Sequence, residues 1–514
     1  MSKKIRHLLL RMFNRVTLTA LLLLINLIWL AGLVMGLSRY YIWIAPLFTT
    51  ISFLIIADIL RRDNNPAYKM GWILLIAILP LFGWLTYAIF GNKQMTRRMH
   101  RRITAVEQAH QKEPILHAPP SADALPSRFV ATTQYLSRFG GSLPQSGTDA
   151  TYYPLGDEMF PALLDAIAQA KRYIFMEYFI ISPGVMLDQL VAILQKKAAE
   201  GVDVRILYDD FGVRAPELAN FSRDMAKKGI RALPFNPIFP IFSIVVNHRN
   251  HRKITVIDGE VAFTGGINLA DEYINQKERF GHWKDTGLCL RGYAAQSYVI
   301  AFLNLWNSVQ KTDDSYAAFL PTVDYAAAAD APLAVQPYFD SPLDEENVGE
   351  NVYLEILSQA EEYVYIFTPY LIIDNEMQTA LCTAAKRGVD VRIVTPGIPD
   401  KKAVFQLTRS YYSVLLKSGV RIYEYTPGFL HAKSFLCDGR IATVGTINLD
   451  YRSLFLHFEC GSLLYGGQVI DELHRDYLAT FERSREIKSP AFGRARGLFS
   501  SLKEAILRAI APML

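Results

Sequence analysis

The second half of this chain repeats the first, and that repetition limits the fold more than any other feature. The segment AKRYIFMEYFII at Ala170–Ile181 returns as AEEYVYIFTPYLII at Ala360–Ile373, and AAEGVDVRILYDD from Ala198 returns as AAKRGVDVRIVTP from Ala384. KKGIRALPF from Lys227 returns as LKSGVRIYEY from Leu416, so the blocks keep their order at separations of about 187 to 190 positions. Self-similarity at a fixed offset marks a duplicated structural unit. Each copy alternates helical segments with short apolar strands. Parallel strands need such crossovers, so the pattern predicts an α/β fold in which helices pack on a sheet, built twice and related by a pseudo-twofold axis. The copies are expected at 151–332 and 333–487, joined near Ala326–Pro332.

A second duplication carries the chemistry. Half one reads HRKITVIDGEVAFTGGIN, with His251, Lys253, Asp258, Gly265, Gly266 and Asn268; half two reads HAKSFLCDGRIATVGTIN, with His431, Lys433, Asp438, Gly445, Thr446 and Asn448. Chance does not readily repeat five residue types at fixed offsets. Each copy reads as strand, Asp-Gly turn, strand, which predicts a hairpin. Residues two apart along a strand share a face, so His and Lys of each copy are expected to point the same way. The Asp, seven positions beyond the His and in the turn, is expected to bond local backbone amides instead. Asn268 and Asn448, at the strand exits, are candidates to donate to an anionic ligand.

One half supplies one His, one Lys and one Asn; two facing halves supply pairs. Two imidazoles flanked by ammonium and amide groups suit phosphodiester exchange. One imidazole attacks phosphorus and the other moves a proton to and from the alkoxide, while lysines and asparagines stabilise the oxygens that gain charge. Each imidazole needs an acceptor to orient its second nitrogen. Asp285 in GHWKDTG and Glu459 in RSLFLHFECG follow the motifs and are the candidates. The scheme requires no metal and no cofactor.

The chain of 514 residues holds 54 Lys and Arg against 49 Asp and Glu, a net charge of +5, unevenly placed. Residues 1–112 carry 15 basic against 3 acidic residues, and the remainder 39 against 46. A mildly acidic body argues against general nucleic-acid binding, which rests on clustered cations. The basic N-terminal part suits an anionic lipid surface. Three apolar runs lie there, about Val16–Leu37, Ile42–Leu60 and Gly71–Gly91, each near the roughly 20 residues a helix needs to cross a bilayer. Trp72, Trp84 and Tyr87 are candidates for the membrane interface. The basic clusters on either side of these runs give conflicting orientations, so one run is expected to be re-entrant or interfacial, or else the cluster after the third run lies outside. The expected layout is a transmembrane helical region at 1–92, a basic connector at 93–150, and an amphipathic helix at 488–514 with Leu502 and Ile506 on its apolar face. Cys289, Cys382, Cys437 and Cys460 lack the spacing of a zinc or redox site and read as buried packing residues.

At these residues the chain resembles the phospholipase D superfamily, whose HxKxxxxD motif occurs here twice, and more narrowly the bacterial cardiolipin synthases. NPAYKMGWILLIAILPLFGWLTYAIFGNK at Asn65–Lys93 is similar to their membrane region, and DEYINQKERFGHWKDTG, HAKSFLCDG and VGTINLDYRSLFLHFE to their catalytic halves. The resemblance implies two phospholipase D-like α/β sandwich domains after transmembrane helices, in a multi-pass protein of the bacterial cell membrane. The run Val16–Leu37 exceeds the family's two-span pattern. The resemblance further implies transfer of a phosphatidyl group from one phosphatidylglycerol to another, giving cardiolipin and glycerol, with His251 as nucleophile and His431 as general acid and base. A hydrolase that passes the group to water shares the motifs; an inactive lipid-binding scaffold would have no need of two intact sets.

Overall fold

The structure is a computed structural model that describes residues 38–63, 65–91, 97–110, 113, 116, 117, 119, 120, 125–237, 248–323, 333–343, 346–489 and 498–513, together with Leu24. The chain divides into two compact units: Met1–Gln94 with Ile238–Asn247 and Ala505–Leu514, and Met95–Pro237 with His248–Glu504.

In the first unit, Ser38–Arg61 is a helix of 24 residues. The expected single helix over Gly71–Gly91 is instead two, Pro66–Ile78 and Pro80–Phe90. Pro80 has no N–H and excludes helical backbone at the residue before it, and Leu79 sits at φ −130° and ψ 74°. The two pieces of 13 and 11 residues are only about 20 and 17 Å long, short of the roughly 30 Å hydrocarbon core. Among the described residues no helix is long and apolar enough to cross a membrane. Val16–Leu37 lies outside the described residues apart from Leu24. The short helices pack closely because Gly83 has no side chain, where a Cβ would come 2.7 Å from the Cα of Ile76. Trp72 is buried with Ile59, Tyr68 and Ile76, and Trp84 stacks on Phe48 at 4.8 Å while its indole donates to Ser52 Oγ at 3.0 Å. Of the rings expected at an interface, Trp72 and Tyr87 meet edge to face at 5.2 Å.

The second unit holds both motifs. Its first half contributes β1 (Thr148–Tyr153), β2 (Tyr173–Tyr178), β3 (Asp203–Asp209), β4 (Arg231–Phe235), β5 (Ile254–Ile257), β6 (Val261–Gly265), β7 (His282–Lys284) and β8 (Gly287–Gly292). Seven of these form one sheet in the order β1-β8-β6-β5-β2-β3-β4. The second half contributes β9 (Ala334–Asp340), β10 (Tyr363–Phe367), β11 (Leu371–Ile372), β12 (Asp390–Pro396), β13 (Arg421–Tyr425), β14 (Gly428–Leu430), β15 (Ser434–Cys437), β16 (Ile441–Gly445), β17 (Leu449–Asp450), β18 (Glu459–Tyr465) and β19 (Ser484–Ile487). Its eight-stranded sheet runs β19-β13-β12-β10-β15-β16-β18-β9. The repeated GVDVRI and G(I/V)R segments are the parallel strands β3, β4 and β12, β13, and the repeated motifs open the hairpins β5-β6 and β15-β16. The duplication in sequence is a duplication of topology.

The helix Ala294–Gln310 buries Tyr298, Phe302 and Trp306 in a core that also takes in Phe175 and Val256 of the first sheet and Tyr365 and Val444 of the second. Each such side chain contributes roughly 1.5–3 kcal/mol, so the halves share one interior. The segment expected as a connector is built into both halves where described: Glu113 accepts from Ser315 at 2.6 Å and the Leu116 N–H donates to Gln296 in the first half, while the residues from Arg128 on join the second. Thr133 and Tyr465 share a hydrogen bond of 2.9 Å, and Gln145 pairs with Val335. The four cysteines are buried and unpaired. Leu498–Ile510 is a helix with Leu502 and Ile506 exposed one turn apart.

Candidate active site

The halves meet by exchanging short parallel pairings. β14, just before His431, pairs with β7, just before Asp285; Asn250, just before His251, bridges to Phe458, just before Glu459. These pairings fix the backbone at both motifs. The N–H of His251 donates to the Phe458 carbonyl at 2.9 Å, and that of His431 to the Lys284 carbonyl at 2.7 Å. His and Lys of each motif lie on the approach to β5 and β15 rather than inside the strands. They still share a side: Lys433 Nζ lies 2.8 Å from His431 Nδ1, and Lys253 and His251 both lie against the Phe179 ring, at 5.6 and 5.0 Å.

Each orienting carboxylate comes from the opposite half. His251 Nδ1 lies 2.8 and 3.0 Å from the two oxygens of Glu459, and His431 Nδ1 lies 2.6 Å from Asp285 Oδ2. With Nδ1 carrying the proton toward a carboxylate, Nε2 is left for chemistry. Asp285 and Glu459 occupy matching places, two residues before the glycines that pair with Gly265 and Gly445. They differ by one methylene, and the neighbouring residue compensates. A Cβ at Gly266 would collide with Asp285 Oδ1, whereas beside the longer Glu459 there is room for Thr446, whose hydroxyl donates to that carboxylate.

Asp258 and Asp438 are placed elsewhere. Both sit in the turn with φ of 54° and 51°, a conformation Asp tolerates better than most residues. Asp258 accepts from the backbone N–H groups of Lys171, Arg172 and Tyr173 at 2.8–2.9 Å, and Asp438 from those of Glu361, Glu362 and Tyr363 at 2.8–2.9 Å. These amides are not local. They belong to the entry of the neighbouring strand, so each Asp ties its hairpin to β2 or β10.

Asn268 accepts from the Ile180 N–H at 3.0 Å and donates to the Tyr273 hydroxyl at 2.8 Å. Asn448 donates to Ser453 Oγ at 3.1 Å, and its buried Oδ1 has no partner.

Burial pushes His251 well below the ordinary imidazole value, and Lys253, Lys433 and His431 add to the effect. His431 falls to about 4 through burial and Lys433, against the pull of Asp285. Burial likewise brings Lys253 to about 7 and Lys433 to about 8. Asp285 is held below the usual carboxylate value because His431 and Lys433 outweigh its burial, while burial pushes Glu459 up against Lys253 and His457. Burial thus holds the imidazoles and ammonium groups of the site below their ordinary values, and an entering anion would raise them. His251, His457 and Glu459 bring ligand atoms within 4.8 Å of one another, the one such group among the described residues. The ammonium groups acting on the same imidazole make that spot better suited to an anion than to a dication.

Several residues around the site escaped sequence reasoning. The rings of Tyr273, Trp283 and Phe429 lie 5.4, 5.7 and 5.9 Å from His431, and those of Phe179 and His457 lie 5.0 and 5.5 Å from His251. Arg128, in the expected connector, donates to Asp438 Oδ2 at 2.8 Å. Trp283 and His457 share an offset from their carboxylates, a signal readable once Asp285 and Glu459 are matched.

Residues 163–281 and 353–483 match the family described as "Cardiolipin synthase, PLD-like domain", and residues 50–92 match "Phospholipase_D-nuclease N-terminal". A protein of Streptococcus mutans described as uncharacterized is 43% identical over 86% of this chain and 96% of its own length. Cardiolipin synthase 2 of Bacillus anthracis is 34% identical over 91% of both chains. The crystal structure of phosphatidylserine synthase from Haemophilus influenzae superposes with a TM-score of 0.54 at 16% identity, over 80% of this chain and 97% of that one, which shows the fold. With paired motifs, crossed dyads and relatives matched along nearly their whole length, the chain belongs to the cardiolipin synthase family of the phospholipase D superfamily.

Proposed function

We propose that the chain is a phosphatidyltransferase that moves a phosphatidyl group from one phosphatidylglycerol to another, giving cardiolipin and glycerol through a phosphatidyl-histidine. The observation that carries the mechanism is the crossed pair of dyads, Glu459 on His251 and Asp285 on His431. Following the superfamily order, neutral His251 attacks phosphorus through Nε2. Burial favours that neutral form near pH 7. His431 gives a proton to the departing glycerol and then takes one from the acceptor's hydroxyl as it attacks the intermediate. The anionic phosphodiester raises the value of His431 toward the working range. Lys253 and Lys433 neutralise the oxygens that gain charge. Asn268 and Asn448 each use one amide hydrogen on a neighbouring hydroxyl and keep a second for the phosphate.

Lipid is the substrate class that the family supplies, and the basic, apolar N-terminal region supports a place in the bacterial cell membrane with more than one segment inserted. Membrane fractionation with carbonate extraction tests this: release into the supernatant would overturn it. Purified full-length protein in phosphatidylglycerol micelles is expected to release glycerol and form the four-chain lipid in equal amounts. Phosphatidic acid as the main product would make the chain a hydrolase, and no lipid turnover at all would leave the scaffold reading.

A further inference from the structure

The two imidazoles sit in unlike walls. Around His431 stand Tyr273, Trp283 and Phe429; the positions that match them by offset from the motifs in the other half are Ser453, His457 and Arg249, of which His457 stands beside His251. The three rings stand 5.4–5.9 Å from the His431 ring. The Tyr273 hydroxyl is engaged by Asn268, and Trp283 and Phe429 are buried. On the opposite side His457 is buried with neither ring nitrogen hydrogen-bonded, and the Arg249 guanidinium lies 5.3 Å from the Phe211 ring. Three rings stand around His431, with the indole N–H of Trp283 the polar atom among them left without a partner; beside His251 stand one ring, Phe179 at 5.0 Å, and the unbonded imidazole of His457.

That difference bears on the step where a transferase and a hydrolase part. In the second half-reaction an oxygen beside His431 forms a bond to phosphorus, the bond from phosphorus to His251 Nε2 breaks, and the proton of the attacking hydroxyl passes to His431 Nε2. Water and alcohol balance this step equally well, and water is far more abundant. A buried water needs two to four polar partners to be held, and the wall of ring faces around His431 offers it one free donor, the Trp283 indole N–H. The CH and CH2 groups of a glycerol can lie against those faces while its hydroxyl reaches the imidazole. We propose that the aromatic wall around His431, above all Trp283 and Phe429, is the device that directs the phosphatidyl group to an alcohol instead of water. The proposal rests on the transfer reading above.

The test is the ratio of phosphatidic acid to cardiolipin formed by the full-length protein in phosphatidylglycerol micelles. Trp283→His, which places there what the other half carries, and Phe429→Ser are expected to raise the ratio at least about tenfold by admitting held water. Trp283→Phe and Phe429→Leu, which keep the wall apolar, are expected to hold the ratio within about twofold, and His457→Leu is expected to lower both products together. An unchanged ratio in the polar variants, or a rise confined to His457→Leu, would overturn the proposal. The unmutated protein gives a second measurement that does not depend on folding of a variant. Offered 1-butanol and ethylene glycol at equal concentration, it is expected to form at least about fivefold more phosphatidylbutanol; equal use of the two would overturn the wall's role. A wild type that makes phosphatidic acid alone would instead sink the transfer reading.

Discussion

At the residues that brace the two motifs, the halves differ in kind. Where half one has Glu177, Asn250 and Arg252, half two has Phe367, Leu430 and Ala432. Asn250 donates to the fully buried Glu177 at 2.6 Å, and Arg252 lies 3.9 Å from Glu177 while donating to the Glu459 carbonyl at 3.1 Å. In half two the same space is apolar, with Phe367 stacked on Tyr477 at 3.9 Å. What repeats is what the chemistry and the hairpin require: His, Lys, the turn Asp and the Asn. What diverges is the support, because a paired polar network and a packed apolar one can hold a strand equally well.

The sharpest break of that comparison is at the imidazoles, where the halves must be equally indispensable. His251→Ala and His431→Ala are each expected to slow glycerol release by roughly 10^3-fold or more. A near-normal rate in either variant would remove that residue from the mechanism. The next effect is unequal by design. Gly266→Ala drives a methyl group into Asp285 and displaces the partner of His431, and a misplacement of about 1 Å costs roughly 10^2-fold. Thr446→Ala displaces nothing and removes one hydroxyl, which donates to Glu459 and accepts from the Cys460 N–H at 3.0 Å, and its loss is expected to be about tenfold or less, near 1 kcal/mol. Equal losses in the two assays would show that the glycine and the threonine do not compensate for the different carboxylates.

Much of this was legible in the sequence. The repeated blocks foretold two α/β halves, and the motif spacing foretold hairpins whose His and Lys share a side. The crossing of the dyads was not legible, since spacing within a half says nothing about which half a side chain reaches, and Asp285 and Glu459 were candidates with no imidazole assigned to either. Pro80 was visible inside an apolar run, yet hydropathy outweighed it; the missing N–H at Pro80 divides that run into two helices. Arg128 lay hidden in a stretch that read as a basic connector, because an ion pair 310 residues away in sequence leaves no local trace.

A transplant sharpens the comparison of braces. Glu177→Phe, Asn250→Leu and Arg252→Ala combined, which give half one the support of half two, are expected to be neutral or to stabilise by about 1–4 kcal/mol, whereas Glu177→Ala alone is expected to cost about 3–5 kcal/mol by leaving Arg252 buried without its partner. Denaturant unfolding measures both. A triple variant less stable than the single one would mean that the polar brace has no apolar equivalent in this half.

The smallest expected difference separates the two turn aspartates. Asp258 and Asp438 each accept three backbone N–H bonds, so replacing either by Asn, which keeps one accepting oxygen, is expected to cost about 1–3 kcal/mol. Only Asp438 also meets a guanidinium, and although burial pushes its carboxyl up, the three amides and Arg128 outweigh that and hold it below the ordinary value. A carboxyl whose folded value is depressed favours the folded state fully above its unfolded value of about 3.9, and that contribution fades as the pH falls through the folded value. Stability of the wild type should therefore drop on acidification below about pH 4 more steeply than that of Asp438→Asn. Arg128 also pairs with Glu361 at 2.8 Å and donates to the Gln359 carbonyl at 3.0 Å, so it stays anchored in the variant and the change remains modest. Parallel acid limbs for wild type and Asp438→Asn would show that the amides and the guanidinium together do not hold the Asp438 carboxyl below its ordinary value.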